Sequence, residues 1–207
     1  MNCLKTDLFR AVFSKRFLIG VLLSVLALCD SGTGGELFRM SIPLVCTFPY
    51  ACGWLDEYKY GFVKFSLSRG GVRGYIFGKF FACGIAGGLV EVTGIWIYGL
   101  AKVAAASPNY ALLFFSGVLW ASVAATLAAL SNSKYVAYGG SFVIYYFLII
   151  LHDRYWDGLS CLSPWEWVFP THAWPLGKAG ILLLLAGLIT ITGTAYYFVL
   201  QRRLAHV

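Results

Sequence analysis

Six apolar runs dominate this sequence, at residues 16–29, 40–55, 75–100, 111–130, 135–151 and 179–200, each bounded by charged residues or by glycine and proline. They constrain the solvent before they constrain the fold. A hydrocarbon core about 30 Å thick takes up roughly 20 residues of helix, and helices satisfy their own backbone hydrogen bonds in lipid. The runs are therefore expected to cross a membrane. The first two are short, so the first is extended by Ala11 to Lys15 and the second is begun near Leu37. Composition agrees, since 59% of the 207 residues are hydrophobic and 12% charged, against roughly 25% charged in a soluble domain. Little chain remains for a second unit. The expectation is one all-α transmembrane domain, residues 1–207, with six spans.

Orientation follows from where Lys and Arg fall, because both are retained on the cytoplasmic side. An inside N-terminus puts twelve of the sixteen there, including Lys5, Arg10, Lys59, Lys64, Arg69 and Arg73, and leaves Arg39, Lys102, Arg154 and Lys178 outside. Acids lean the other way, with Asp30, Glu36, Asp153, Asp157 and Glu166 outside and Asp7, Asp56 and Glu57 inside. Both termini are expected to be cytoplasmic, and the net charge of +7 reads as a topology signal rather than a nucleic-acid surface. Basic residues before Phe17 to Cys29 mimic a secretory signal. Leu28 is too bulky before a cleavage cysteine, so this segment is expected to stay as a span.

Three stretches outside the runs carry pattern. Leu4, Leu8, Ala11 and Val12 recur at helical spacing with Lys5, Arg10 and Lys15 elsewhere on the wheel, which predicts an interfacial amphipathic helix. The piece from Asp56 to Gly74 runs Asp56-Glu57-Tyr58-Lys59-Tyr60-Gly61, then Phe62 to Arg69, then a glycine break. Its cations alone would hold orientation and touch anionic lipid heads. Its order is that of a compact cytoplasmic helix held by two spans, a shape suited to docking a soluble partner. The outer piece, His152 to Lys178, is rich in Trp and Pro. Prolines interrupt a span, so short helices at or in the outer leaflet are expected, with Trp165, Trp167 and Trp174 as interface aromatics.

Catalytic chemistry finds few residues to use. The chain has no H-E-x-x-H and no G-x-S-x-G, and Arg73 to Phe80 places Arg where the first glycine of a phosphate loop belongs and Phe where its hydroxyl belongs. The six cysteines form no C-x-x-C pair and read as small hydrophobes. No catalytic residue, metal or cofactor is expected in this chain, and any ATP must be bound by another. Glu91, inside the third run, is costly in lipid. It either fixes packing by reaching water or a neighbour, or lines a cavity and contacts a cationic or polar cargo. Gly74-x-x-x-Gly78, Gly84-x-x-x-Gly88 and Ala121, Ala125 and Ala129 supply small faces for other helices, in this chain or a second copy.

Taken together, these pieces resemble the permease subunits of bacterial type-2 ATP-binding-cassette (ABC) exporters. The likeness rests on the basic amphipathic start, on Glu57-x-x-x-Gly61-x-x-Lys64-x-x-Leu67-Ser68-Arg69 followed by Arg73-Gly74-Tyr75-Ile76-x-Gly78-Lys79, on Leu162-Ser163-Pro164-Trp165, and on the closing Tyr196-Tyr197 and Arg202-Arg203. The resemblance implies a bacterial cytoplasmic-membrane permease without catalysis of its own. It would pair with a second copy or a paralogous permease and be driven by two cytoplasmic ATPase subunits that hold ATP and Mg. By that resemblance Asp56, Glu57, Tyr60, Lys64, Arg69 and Arg73 belong to the coupling helix, and the cargo is an amphipathic peptide or lipid-like molecule. The chain lacks the large exterior domain of longer relatives. The alternative is a non-transporting membrane immunity or binding protein that recognises a peptide or lipid at the outer face.

Overall fold

The computed structural model describes residues 2–33, 35–101, 109–156 and 158–205, without the side chains of residues 2–3 and 68–70. Among these residues the secondary structure is helical: α1 (Asn2–Val12), α2 (Lys15–Ser31), α3 (Glu36–Val45), α4 (Gly53–Lys59), α5 (Val63–Ala101), α6 (Tyr110–Ser131), α7 (Lys134–Tyr155), a 3-10 turn (Ser160–Leu162) and α8 (Lys178–Leu204). Four helices are long and apolar enough to cross a membrane: the Gly71–Ala101 part of α5, then α6, α7 and α8. The chain is a multi-pass helical membrane protein. Taken as one bent element, α1 and α2 make a fifth candidate, with a 49° bend between them. Ser14 sets that bend. Its hydroxyl donates to the Ala11 carbonyl at 2.9 Å and accepts from the Phe17 amide at 3.0 Å, closing one helix and capping the next.

Residues 40–55, expected as one span, fold instead as two short helices joined by turns. Pro49 has no N–H for the Val45 carbonyl and disfavours a helical conformation at Phe48. The chain tightens there: the Thr47 amide bonds the Leu44 carbonyl and the Phe48 amide bonds that of Val45. The broken segment still runs along α7. The Arg39 carbonyl accepts from the Tyr145 hydroxyl, the Pro43 carbonyl from Ser141, Phe48 stacks on Tyr138, and Asp56 pairs with Lys134. Partners descending from 145 to 134 cover about 16 Å of helix.

Small residues hold the centre. A Cβ on Gly87 would stand 2.5 Å from that of Ala121, and one on Gly117 would stand 2.9 Å from the Gly87 carbonyl, so α5 and α6 are in backbone contact as small faces allow in lipid. Ala121, Ala125 and Ala129 are buried within the chain. On a neighbouring face of α6, Ser122 bonds Thr192 of α8 at 2.9 Å. Leu22, Phe77, Trp96, Phe147, Leu183, Ile191 and Phe198 stand exposed around the outside, the arrangement expected of a lipid-facing belt.

Candidate functional site

At the end of the bundle where α1 lies, three helices meet around one lysine. Lys79 of α5 is 2% exposed. Its Nζ donates to Asp7 Oδ1 of α1 at 2.8 Å, to Glu57 Oε1 of α4 at 2.6 Å and to the Tyr50 hydroxyl at 2.7 Å, which uses all three ammonium protons. The Tyr50 hydroxyl donates on to Asp7 Oδ1, and the Tyr75 hydroxyl donates to Glu57 Oε2, each at 2.8 Å. Arg10 adds positive charge 3.7 Å from Glu57 Oε1. Gly78, beside the lysine, admits α1: a Cβ there would already touch Asp7 and the Leu4 backbone at 3.7 Å.

The preceding carboxylate ties in two more helices. Asp56 accepts from Arg16 of α2 at 2.9 Å and pairs with Lys134 of α7. Two adjacent acids on a seven-residue helix therefore fasten α1, α2, α5 and α7. An open cleft of about 340 Å³ lies beside them, lined by Arg10, Ser14, Lys15, Arg16, Asp56 and Glu57 among others.

These contacts divide the residues assigned to coupling. Asp56 and Glu57 face inward. Tyr60 is 76% exposed, and Lys64 and Arg73 are also exposed, on the piece that follows α4. The Arg69 side chain lies outside the described residues. Residues 63–70 form a short helix of their own, because Gly71 (φ 65°, ψ 163°) breaks α5 and Gly61 (φ 72°) precedes it. Val63 is buried and Leu67 half-buried, one turn apart, and both pack with Trp54, Leu55 and Tyr75. Phe62 and Phe65, 58% and 71% exposed, stand on the opposite side with Lys64.

At the other end, the aromatic segment turns into the protein. Trp167 is 3% exposed, stacks on Trp120 and donates to the Cys161 carbonyl at 3.0 Å. Trp165 and Phe169 stack against the Arg39 guanidinium, 5.3 and 5.5 Å from their ring centres, and Trp174 packs partly buried against the same core. Glu166 gathers the loop: its carboxylate accepts from the Thr171 and His172 amides at 2.9 and 3.2 Å and from their side chains. Burial would raise its carboxyl, but these bonds prevail and hold it at about 2. Glu91 of α5 lies apart from both ends, fully buried, with no hydrogen-bond donor on either oxygen.

Asp7, Tyr50, Tyr75 and Lys79 were not among the sequence-based site residues. The signal was an ionisable side chain within an apolar run, which Lys79 carries as plainly as Glu91. Among the described residues no group of three or more His, Cys, Asp or Glu is placed to hold a metal ion. Compared with known proteins, the chain matches no family model and no curated sequence.

Proposed function

We propose that this chain is the membrane subunit of an ABC exporter in a bacterial cytoplasmic membrane, paired with a second permease and driven by two ATPase subunits. One observation carries the reading: an eight-residue helix, bracketed by Gly61 and Gly71, carries Lys64 and Phe65 exposed, with Tyr60 and Phe62 exposed in the turn before it, while its base is locked to the bundle. That is the form a coupling helix needs. Its aromatic side chains would fill a groove on the ATPase. Glu57, held by Lys79, and Asp56, held by Arg16 and Lys134, would pass displacement of the lever to α1, α2, α5 and α7 rather than let it dissipate locally. On this reading α3 and α4 together form the second of six spans, broken at Pro49, and the α1 end is cytoplasmic.

The cargo is amphipathic, a peptide or lipid-like molecule, in keeping with how few ionisable side chains lie inside the spans. The alternative, a binder at the outer face, would draw on Trp165, Trp167 and Trp174, of which Trp165 is held against Arg39 and Trp167 against Trp120. The test is copurification from the native host. Wild-type chain should bring down a stoichiometric soluble ATPase. Lys64→Glu combined with Phe62→Ser should weaken that association at least about tenfold, near 1.4 kcal/mol, without lowering the chain's abundance. An abundant chain that retains no ATPase would count against the transporter, and unchanged association of the double variant against the docking helix.

A further inference from the structure

Glu91 sits where a charge is least tolerable. Gly87, Glu91 and Gly94 share one face of α5, and three neighbours close over it. A Cβ on Gly94 would collide with Ser24 Oγ of α2, and one on Gly87 would stand 2.8 Å from the Cys46 carbonyl and 2.5 Å from the Ala121 Cβ of α6. The Cys46 carbonyl closes α3, so the negative end of a helix dipole meets this face.

No donor answers the carboxyl. Ser24 is beside it, yet neither Glu91 oxygen accepts a hydrogen bond and the Ser24 hydroxyl has no partner either. Two titratable neighbours in its field are committed elsewhere: the Cys46 thiol donates to the Ile42 carbonyl at 2.8 Å and the Tyr145 hydroxyl to the Arg39 carbonyl at 2.9 Å. Among titratable groups, α3 offers Cys46 and, nearer its start, Arg39, whose guanidinium is stacked on Trp165 and Phe169. From α7 comes Tyr145. Cys29 and Asp30 of α2 and Tyr110 of α6 are exposed at helix ends. No cation stands against Glu91 among the described residues.

We propose that Glu91 is an intramembrane proton-binding site, occupied by its proton in this packing. An uncompensated carboxylate buried on a face that meets the closing carbonyl of α3 is excluded by its desolvation cost, and a proton is the one cation that needs no room of its own. The neutral acid satisfies the site with a small turn toward Ser24, to which it can donate. Loss of the proton would set a bare charge against the end of α3, so the proton holds α2, α3 and α5 together. This does not depend on the transporter reading.

The test compares the full chain with Glu91→Gln, both in lipid vesicles, by thermal unfolding from about pH 5 to about pH 9. A folded state that binds a proton its unfolded chain releases loses stability as pH rises. The wild type should therefore lose stability toward alkaline pH, and the amide, an isostere of the neutral acid, should match it at the acid end and stay flat. Parallel pH profiles would overturn the proposal. So would a glutamine variant that fails to accumulate or is less stable at every pH, because a site built for the neutral acid must accept the amide. Restoration of the wild type at alkaline pH by Na⁺ but not K⁺ would assign the site to a metal cation instead.

Discussion

At Lys79 a single ammonium separates two carboxylates that would otherwise face each other in a buried place. Lys79→Met should therefore destabilise the protein by about 3–5 kcal/mol, the usual consequence of removing one partner from a buried ion network. The triple change to Asp7→Asn, Glu57→Gln and Lys79→Met should recover most of that loss, since no charge is then left unpaired. Thermal unfolding in lipid vesicles distinguishes the two, and a triple variant as unstable as the single one would mean that the lysine stem, not its charge, does the holding. This residue also marks where the sequence stopped being legible. Lys79 was readable as a cation near a membrane surface. Its partners lie 72 and 22 positions away, and nothing local in Asp7 or Glu57 distinguishes an acid turned inward from one turned to a partner. Tyr50 and Tyr75 were hidden for the same reason, because in an apolar run a tyrosine that bonds a carboxylate has the same pattern as one that faces lipid.

Among the elements, those with strong periodicity were legible and those ended by backbone chemistry were not. The long runs at 111–130, 135–151 and 179–200 lie within α6, α7 and α8, whereas the run at 40–55 is broken because Pro49 withholds an amide that apolar composition does not reveal. The short helix 63–70 was anticipated by the glycine break after Arg69, and its geometry now gives a sharper expectation. Gly71 occupies a region of backbone space open essentially to glycine alone, so Gly71→Ala should cost about 1–3 kcal/mol and swing residues 63–70 away from Trp54 and Leu55. Increased protease access near Val63, with the spans intact, would show this. An alanine variant with unchanged access at Val63 would argue against the hinge. The outer loop behaves differently. Glu166 binds fewer protons folded, at about 2, than unfolded, at about 4.3. Its contribution is therefore complete above the unfolded value and is lost as pH falls toward about 2. Protection of the Thr171 and His172 amides from hydrogen exchange, taken relative to the intrinsic rate at each pH, should fall across that window. Glu166→Gln should exchange fast at every pH, and a wild type that stays protected at about pH 2 would remove the carboxylate from the account.

For the molecule as a whole, the transporter reading turns on which end of the bundle faces the cytoplasm, because the same ion network couples to an ATPase from inside and could not from outside. Cations gather at the α1 end: Arg10, Lys15, Arg16, Lys64, Arg73 and Lys134 are exposed or half-buried there, with Arg203 bonded to the Leu130 carbonyl beside them. The positive-inside bias therefore coincides with an observed end of a packed bundle rather than with a count over loops. In a variant whose other cysteines are serine, native Cys161, which is exposed, should react with an impermeant maleimide in intact cells. Lys64→Cys in an otherwise cysteine-free chain should react only after permeabilisation. Labelling of Lys64→Cys in intact cells would turn the molecule over. It would also place Tyr60, Phe62 and Phe65 where no cytoplasmic ATPase could reach them, and the transporter reading would fall with the topology. The opposite result leaves that aromatic lever on the energised side of the membrane, braced by two ion clusters, with Glu91 buried beyond it.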